Sequence, residues 1–294
     1  MLTAKPWKAE AVARLGLSVF VCVYAGSLLL IALQRGAAAG WALYPILAAA
    51  FGCLGASLIL LCKPWQMETV LRRLAILLPC LYAGLFLGLW GEKLAGEASR
   101  SVDQMIVGVA SFQGAGLVLV HLFLREHGVA WSEAFGFDRQ WRKAVPLGML
   151  VACLFLPIGI VLQWAIGKAL PSLPPPEAVQ TLQLAGTWLP RLVLGVVTIL
   201  LAPVAEEVLF RGILYPWLKQ FGYPRLALWT AALAFAAVHL NLFTFVPLAL
   251  LAVALTVLYE RTDNLLAPIT AHALFNGFNF VMLYVFQQQM SRFR

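Results

Sequence analysis

The stretch PRLVLGVVTILLAPVAEEVLFRGILYPWL, residues 190–218, decides the fold class. It is far too long for a strand and is apolar around the whole helical circumference. Such a segment reads as a helix enclosed by protein or lipid on every side. The rest of the chain is of the same kind. Of 294 residues, 62% are hydrophobic and only 12% are charged, and the mean hydropathy is +0.86. The charged share is about half that of a soluble domain, so there is no charged exterior to keep a globule in water. A secreted disulfide scaffold, a disordered chain and an ordinary cytosolic enzyme are all excluded by this arithmetic.

Working outward, further apolar segments lie near 13–33, 42–62, 74–90, 105–124, 145–167, 223–240, 243–260 and 264–287. Their lengths predict an all-α, polytopic transmembrane helix bundle of about eight to nine spans. The first is too long for a signal h-region and reads as a retained helix. A triple proline, Pro174-Pro175-Pro176, cannot lie inside a helix. It marks residues 171–189 as a loop between N-terminal helices (1–170) and a C-terminal core (190–287). Gly84 and Gly88 form a small-xxx-small pair suited to close helix packing. The five cysteines, Cys22, Cys53, Cys62, Cys80 and Cys153, fall in or beside apolar spans without CxxC spacing, so they read as buried small hydrophobes.

The net charge of +8 comes from 21 Lys and Arg against 13 Asp and Glu. These basic residues sit between spans, where they orient the chain and meet anionic headgroups, so membrane lipids are partners and nucleic acid is not. Their distribution puts the Lys219–Arg225 segment on the cytoplasmic side and the Pro171–Glu177 loop outside.

Ionisable groups inside a bilayer are costly and point to function. Here they cluster after residue 200: Glu206, Glu207, Arg211, His239 and His272, with Asn276 and Asn279. Glu207 and Arg211 are four apart and share a helix face, so they can pair. Glu206 lies about 100° further round. One carboxylate is thereby neutralised and the other is left to act as a general base, the work for which enzymes tune buried carboxylates. A buried ion-pair network that only fixes helix packing is the plainer alternative. Phe235 and His239 are again four apart, as are His272 and Asn276, and side-chain amides also glue membrane helices. Pro203 and Pro268 can bend their helices and free carbonyls beside the cluster.

Other hydrolytic chemistries find no residues here. No Ser lies between 173 and 290, no Cys follows 153, and HExxH is absent. The aspartates, Asp103, Asp138 and Asp263, fall in loops. A carboxylate, two imidazoles and an amide suit activation of water and stabilisation of an oxyanion. The same Glu/His/His set can also bind zinc, so metal-assisted hydrolysis stays open beside a cofactor-free reaction.

Glu206-Glu207-xxx-Arg211, Phe235-xxx-His239 and His272-xxx-Asn276, in this order on successive apolar segments, resemble the three motifs of the CAAX protease and bacteriocin-processing (CPBP) family. That family includes the type II CAAX prenyl endopeptidases and is also called the glutamic intramembrane proteases. The resemblance covers about residues 190–287. It implies a multi-pass protein of a bacterial or archaeal cell membrane that cleaves a membrane-associated peptide or protein. It further implies that Glu206 and His239 activate water, that His272 and Asn276 form the oxyanion site, and that Glu207, Arg211 and Phe235 support it. A non-catalytic immunity or scaffold protein and a proton-coupled transporter are the alternatives. The second is disfavoured because the polar residues occupy one half of the chain only.

Overall fold

A computed structural model describes residues 4–35, 110–173 and 188–292, with Ala50 and Leu182. The expected spans at 42–62 and 74–90, Cys53, Cys62, Cys80 and the Gly84/Gly88 pair lie outside the described residues. The three longer described stretches contain eight helices. They are α1 (Ala9–Arg35), α2 (Ala115–Glu126), entered through a π-turn at Ala110–Gly114, the short α3 (Trp131–Phe135) and α4 (Trp141–Ala169). Next come α5 (residues 188–219), α6 (Pro224–Ala237), α7 (Leu242–Thr262) and α8 (Leu266–Arg292). The described residues contain no strand.

Among the described residues, five helical segments are long and apolar enough to cross a membrane: Ala9–Leu29, Trp141–Ala169, Arg191–Lys219, Leu242–Thr262 and Leu266–Val285. The segment expected to span at 223–240 is shorter than expected. Its helix α6 has 14 residues, about 21 Å at 1.5 Å per residue, against a hydrocarbon core of about 30 Å. It stops because Leu240 takes a positive φ of 48°, which a helix cannot continue through.

The chain forms two compact units, residues 8–126 and residues 1–7 with 127–294. In the first, Arg14 pairs with Glu126 and, one turn away, with Glu10 at 3.6 Å. Cys22 is buried there, as expected. Cys153, by contrast, is exposed on α4, on a helix that also exposes Leu150, Leu154, Val161 and Trp164. An apolar side chain on such a face meets lipid, so burial in protein is not required of it.

In the second unit α4 packs along α8 and α7, and α6 packs along α7. Their shared core holds Ala144, Ala152, Phe155, Leu251, Leu255, Ala271 and Phe275. Small residues bring backbones together where no hydrophobic gain separates helix from lipid. Gly148 is the extreme case. A Cβ there would lie 2.3 Å from the Ala267 carbonyl oxygen, which is backbone and cannot swing aside. Gly148→Ala should therefore push α4 off α8 and cost about 1–3 kcal/mol, the usual penalty of overpacking. A lower Tm in detergent is the expected reading, and an unchanged Tm would show that the two helices do not touch at this point.

Candidate active site

The site is built on α5, whose sequence does not allow one uninterrupted α-helix. Two π-segments, Val197–Leu201 and Val208–Leu214, flank the short α-helical piece Ala202–Glu207. Single-turn π-bulges of this kind often occur at functional sites. Pro203 explains part of the pattern. The Ala202 N–H bonds back to the Val197 carbonyl, and Pro203 has no N–H to offer the next one, Thr198. That stranded carbonyl is taken by Asn276 Nδ2 from α8, at 2.9 Å.

Pro216 has a similar effect one turn below the motif. It interrupts the backbone bonding there, and the nearby Gly212 carbonyl accepts from Trp7 Nε1 at 3.0 Å. Trp7 is 2% exposed. Neighbouring contacts hold the same end of α5. Gln220 Nε2 donates to the Lys5 carbonyl at 2.8 Å, and the Phe135 ring occupies the space a Cβ on Gly212 would need. Lys5 lies 3.7 Å from Asp263, which also receives Arg139. Burial pushes the Lys5 ammonium below its ordinary range, and the Asp263 charge opposes that shift.

Between the two braces lies the polar cluster. Glu207 Oε1 accepts from Arg211 at 2.8 Å and from His272 Nδ1 at 2.8 Å. Glu207 is 0% exposed, Arg211 1% and His272 2%. The Arg211 guanidinium sits 4.4 Å from the centre of the Phe235 ring, a cation–π contact that solvates the charge where water cannot. Phe235 also meets His272 edge-on at 5.8 Å and His239 at 4.9 Å between ring centres. The motif phenylalanine thus stands against the arginine and both histidines.

Proton positions follow from the partners. A carboxylate only accepts, so His272 Nδ1 carries hydrogen. Its Nε2 then faces Glu206 Oε2 across 3.8 Å, beyond hydrogen-bond distance. His239 Nδ1 lies 2.7 Å from the Phe235 carbonyl. That oxygen also only accepts, so Nδ1–H donates and Nε2 is left as a base.

The structure therefore brings together Glu206, Glu207, Arg211, Phe235 and His272. His239 joins through Phe235, at the exposed end of α6. Asn276 reaches α5 at Thr198, about two turns from Glu206, and Asn279 bonds back along its own helix, to the Phe275 carbonyl at 2.8 Å. Among the described residues no three His, Cys, Asp or Glu side chains are placed to hold a metal ion. Trp7 and Thr198 are absent from the sequence reading. Pro203 signalled a freed carbonyl near the cluster, but nothing local to Trp7 signals its reach of 205 residues.

Residues 187–278 match the family described as type II CAAX prenyl endopeptidase Rce1-like. A curated relative, the "uncharacterized protein YpbD" of Bacillus subtilis (strain 168), is 37% identical over 82 residues, a match covering 26% of this chain and 39% of that protein. The chain thus spans about two-fifths of the relative's length. No solved structure matches the chain. A segment similar to the Rce1-like type II CAAX prenyl endopeptidases is thus carried within an integral multi-pass membrane protein.

Proposed function

We propose that α5, α6 and α8 form the centre of a membrane-embedded endopeptidase that cleaves a peptide bond of a membrane-associated peptide or protein. The observation that carries this reading is His272 held between two carboxylates, bonded to Glu207 through Nδ1 and facing Glu206 through Nε2 at 3.8 Å. In the proposed reaction Glu206, helped by His239 Nε2, takes a proton from water as the oxygen attacks the substrate carbonyl. The proton then passes to the departing amine as the C–N bond breaks. Protonated His272 donates Nε2–H to the developing oxyanion, and the Glu207 carboxylate stabilises that imidazolium. No metal takes part in this scheme.

The test is incubation of the detergent-purified protein with a peptide library that includes prenylated and unprenylated C-terminal peptides, read by mass spectrometry. Products from wild type, unaffected by chelator, are expected. Loss of cleavage on chelation with recovery on adding Zn²⁺ would transfer the activated water to a metal. No product with any member would sink the peptidase reading.

Asn276 is assigned two contacts. One Nδ2 hydrogen serves Thr198, and the other is proposed to serve the oxyanion. Asn276→Ala should then lower kcat by roughly 10²–10³ with little change in KM. It should also lower Tm, because the Thr198 carbonyl loses its partner, at about 1–3 kcal/mol. A lower Tm with wild-type kcat would leave the amide as a brace only.

A further inference from the structure

We propose a second site: a pocket for the phosphate of an anionic phospholipid headgroup, at the end of the bundle where α6 begins and α7 ends. A cleft of about 480 Å³ opens there, lined by Tyr215, Arg225, Leu228, Val257, Glu260 and Arg261. Its one carboxylate is already engaged. Glu260 Oε1 accepts from the Tyr215 hydroxyl at 2.7 Å and pairs with Lys219. The basic residues nearby are engaged as well, since Lys5 and Arg139 both go to Asp263. Arg225 and Arg261 are the exceptions. Both are exposed, and among the described residues neither makes an ion pair or hydrogen bond. The cleft therefore presents two uncommitted guanidiniums over a floor of Leu228 and Val257, a combination that matches a phosphate with acyl chains below it.

The surroundings favour a lipid over a free anion. The cleft lies at the terminus of the membrane-crossing helix Leu242–Thr262. Phe221 and Tyr223, 60% and 68% exposed, stand in the turn that leads into α6, and aromatic rings collect at headgroup level. Arg142 lies over the ring of its neighbour Trp141 at 5.5 Å.

Binding is measured on purified protein by native mass spectrometry and by Tm during titration with phosphatidylglycerol, phosphatidylcholine or inorganic phosphate. Wild type should retain phosphatidylglycerol preferentially and gain Tm from it. Arg225→Gln/Arg261→Gln should weaken that binding at least about tenfold, since each basic residue near an anionic headgroup contributes roughly fivefold. Arg142→Gln/Lys143→Gln, which removes the same charge, should not. Equal loss in both double variants would mean that the effect is diffuse surface charge, and would overturn the site. Equal retention of phosphatidylcholine would do the same. An equal Tm gain from inorganic phosphate would reassign the cleft to a free anion and overturn the lipid.

Discussion

Glu206→Gln should leave the protein folded and remove turnover, lowering single-turnover cleavage by at least about 10²–10⁴, the usual share of a general base. Glutamine nearly matches the shape of glutamate but cannot take a proton from water. The structure explains why stability should survive. Glu206 is half-buried and makes no hydrogen bond among the described residues, and its nearest charge partner, His272 Nε2, is 3.8 Å away. Removing its charge breaks no bond and strands no ion. Melting in detergent and cleavage of any substrate found for the wild type decide it together. A stable, active Glu206→Gln would falsify the assignment of Glu206 as the base.

The neighbouring glutamate should respond in the opposite sense. Glu207→Gln keeps an acceptor oxygen in place but removes the charge that balances Arg211, which is 1% exposed. Breaking one partner of a buried ion pair typically costs about 3–5 kcal/mol. The Phe235 ring returns only part of this, since a desolvated cation–π contact is worth about 2 kcal/mol. Lower yield and a markedly lower Tm are expected. Activity should fall too, because the carboxylate that holds and orients the His272 ring through Nδ1 is gone. Replacing both partners, as Glu207→Gln/Arg211→Met, should recover part of the stability, because the stranded charge is gone. Activity should stay low, because His272 is still without its carboxylate. A fully stable but inactive Glu207→Gln would mean that the two glutamates have exchanged roles.

Much of this was legible in the chain because helical spacing is short-range. Glu207 and Arg211 pair at i, i+4 as the spacing predicts, and Phe235 meets His239 in the same way. Wherever residues are described, the longer helices follow the apolar segments. Two features differ from what spacing and hydropathy predict, and both depend on what lies beyond a single helix. Hydropathy near 223–240 does not register that the backbone turns at Leu240, where a helix of 14 residues ends. Apolar character at Cys153 does not say whether protein or lipid covers it.

The sequence by itself determined the solvent of this protein, the helical class and the identity of the polar residues, because the cost of polar groups in hydrocarbon allows few of them and gives each a reason. Only the tertiary structure decided which of those residues meet. His272 reaches Glu207 across 65 positions, and Asn276 turns to a carbonyl that Pro203 leaves unpaired 78 positions away. Trp7 caps Gly212 from the far end of the chain. Partners of this kind follow from how prolines and π-segments redistribute backbone hydrogen bonds, and from which helix lies beside each freed carbonyl. Those are properties of packing, to which neither spacing nor composition gives access.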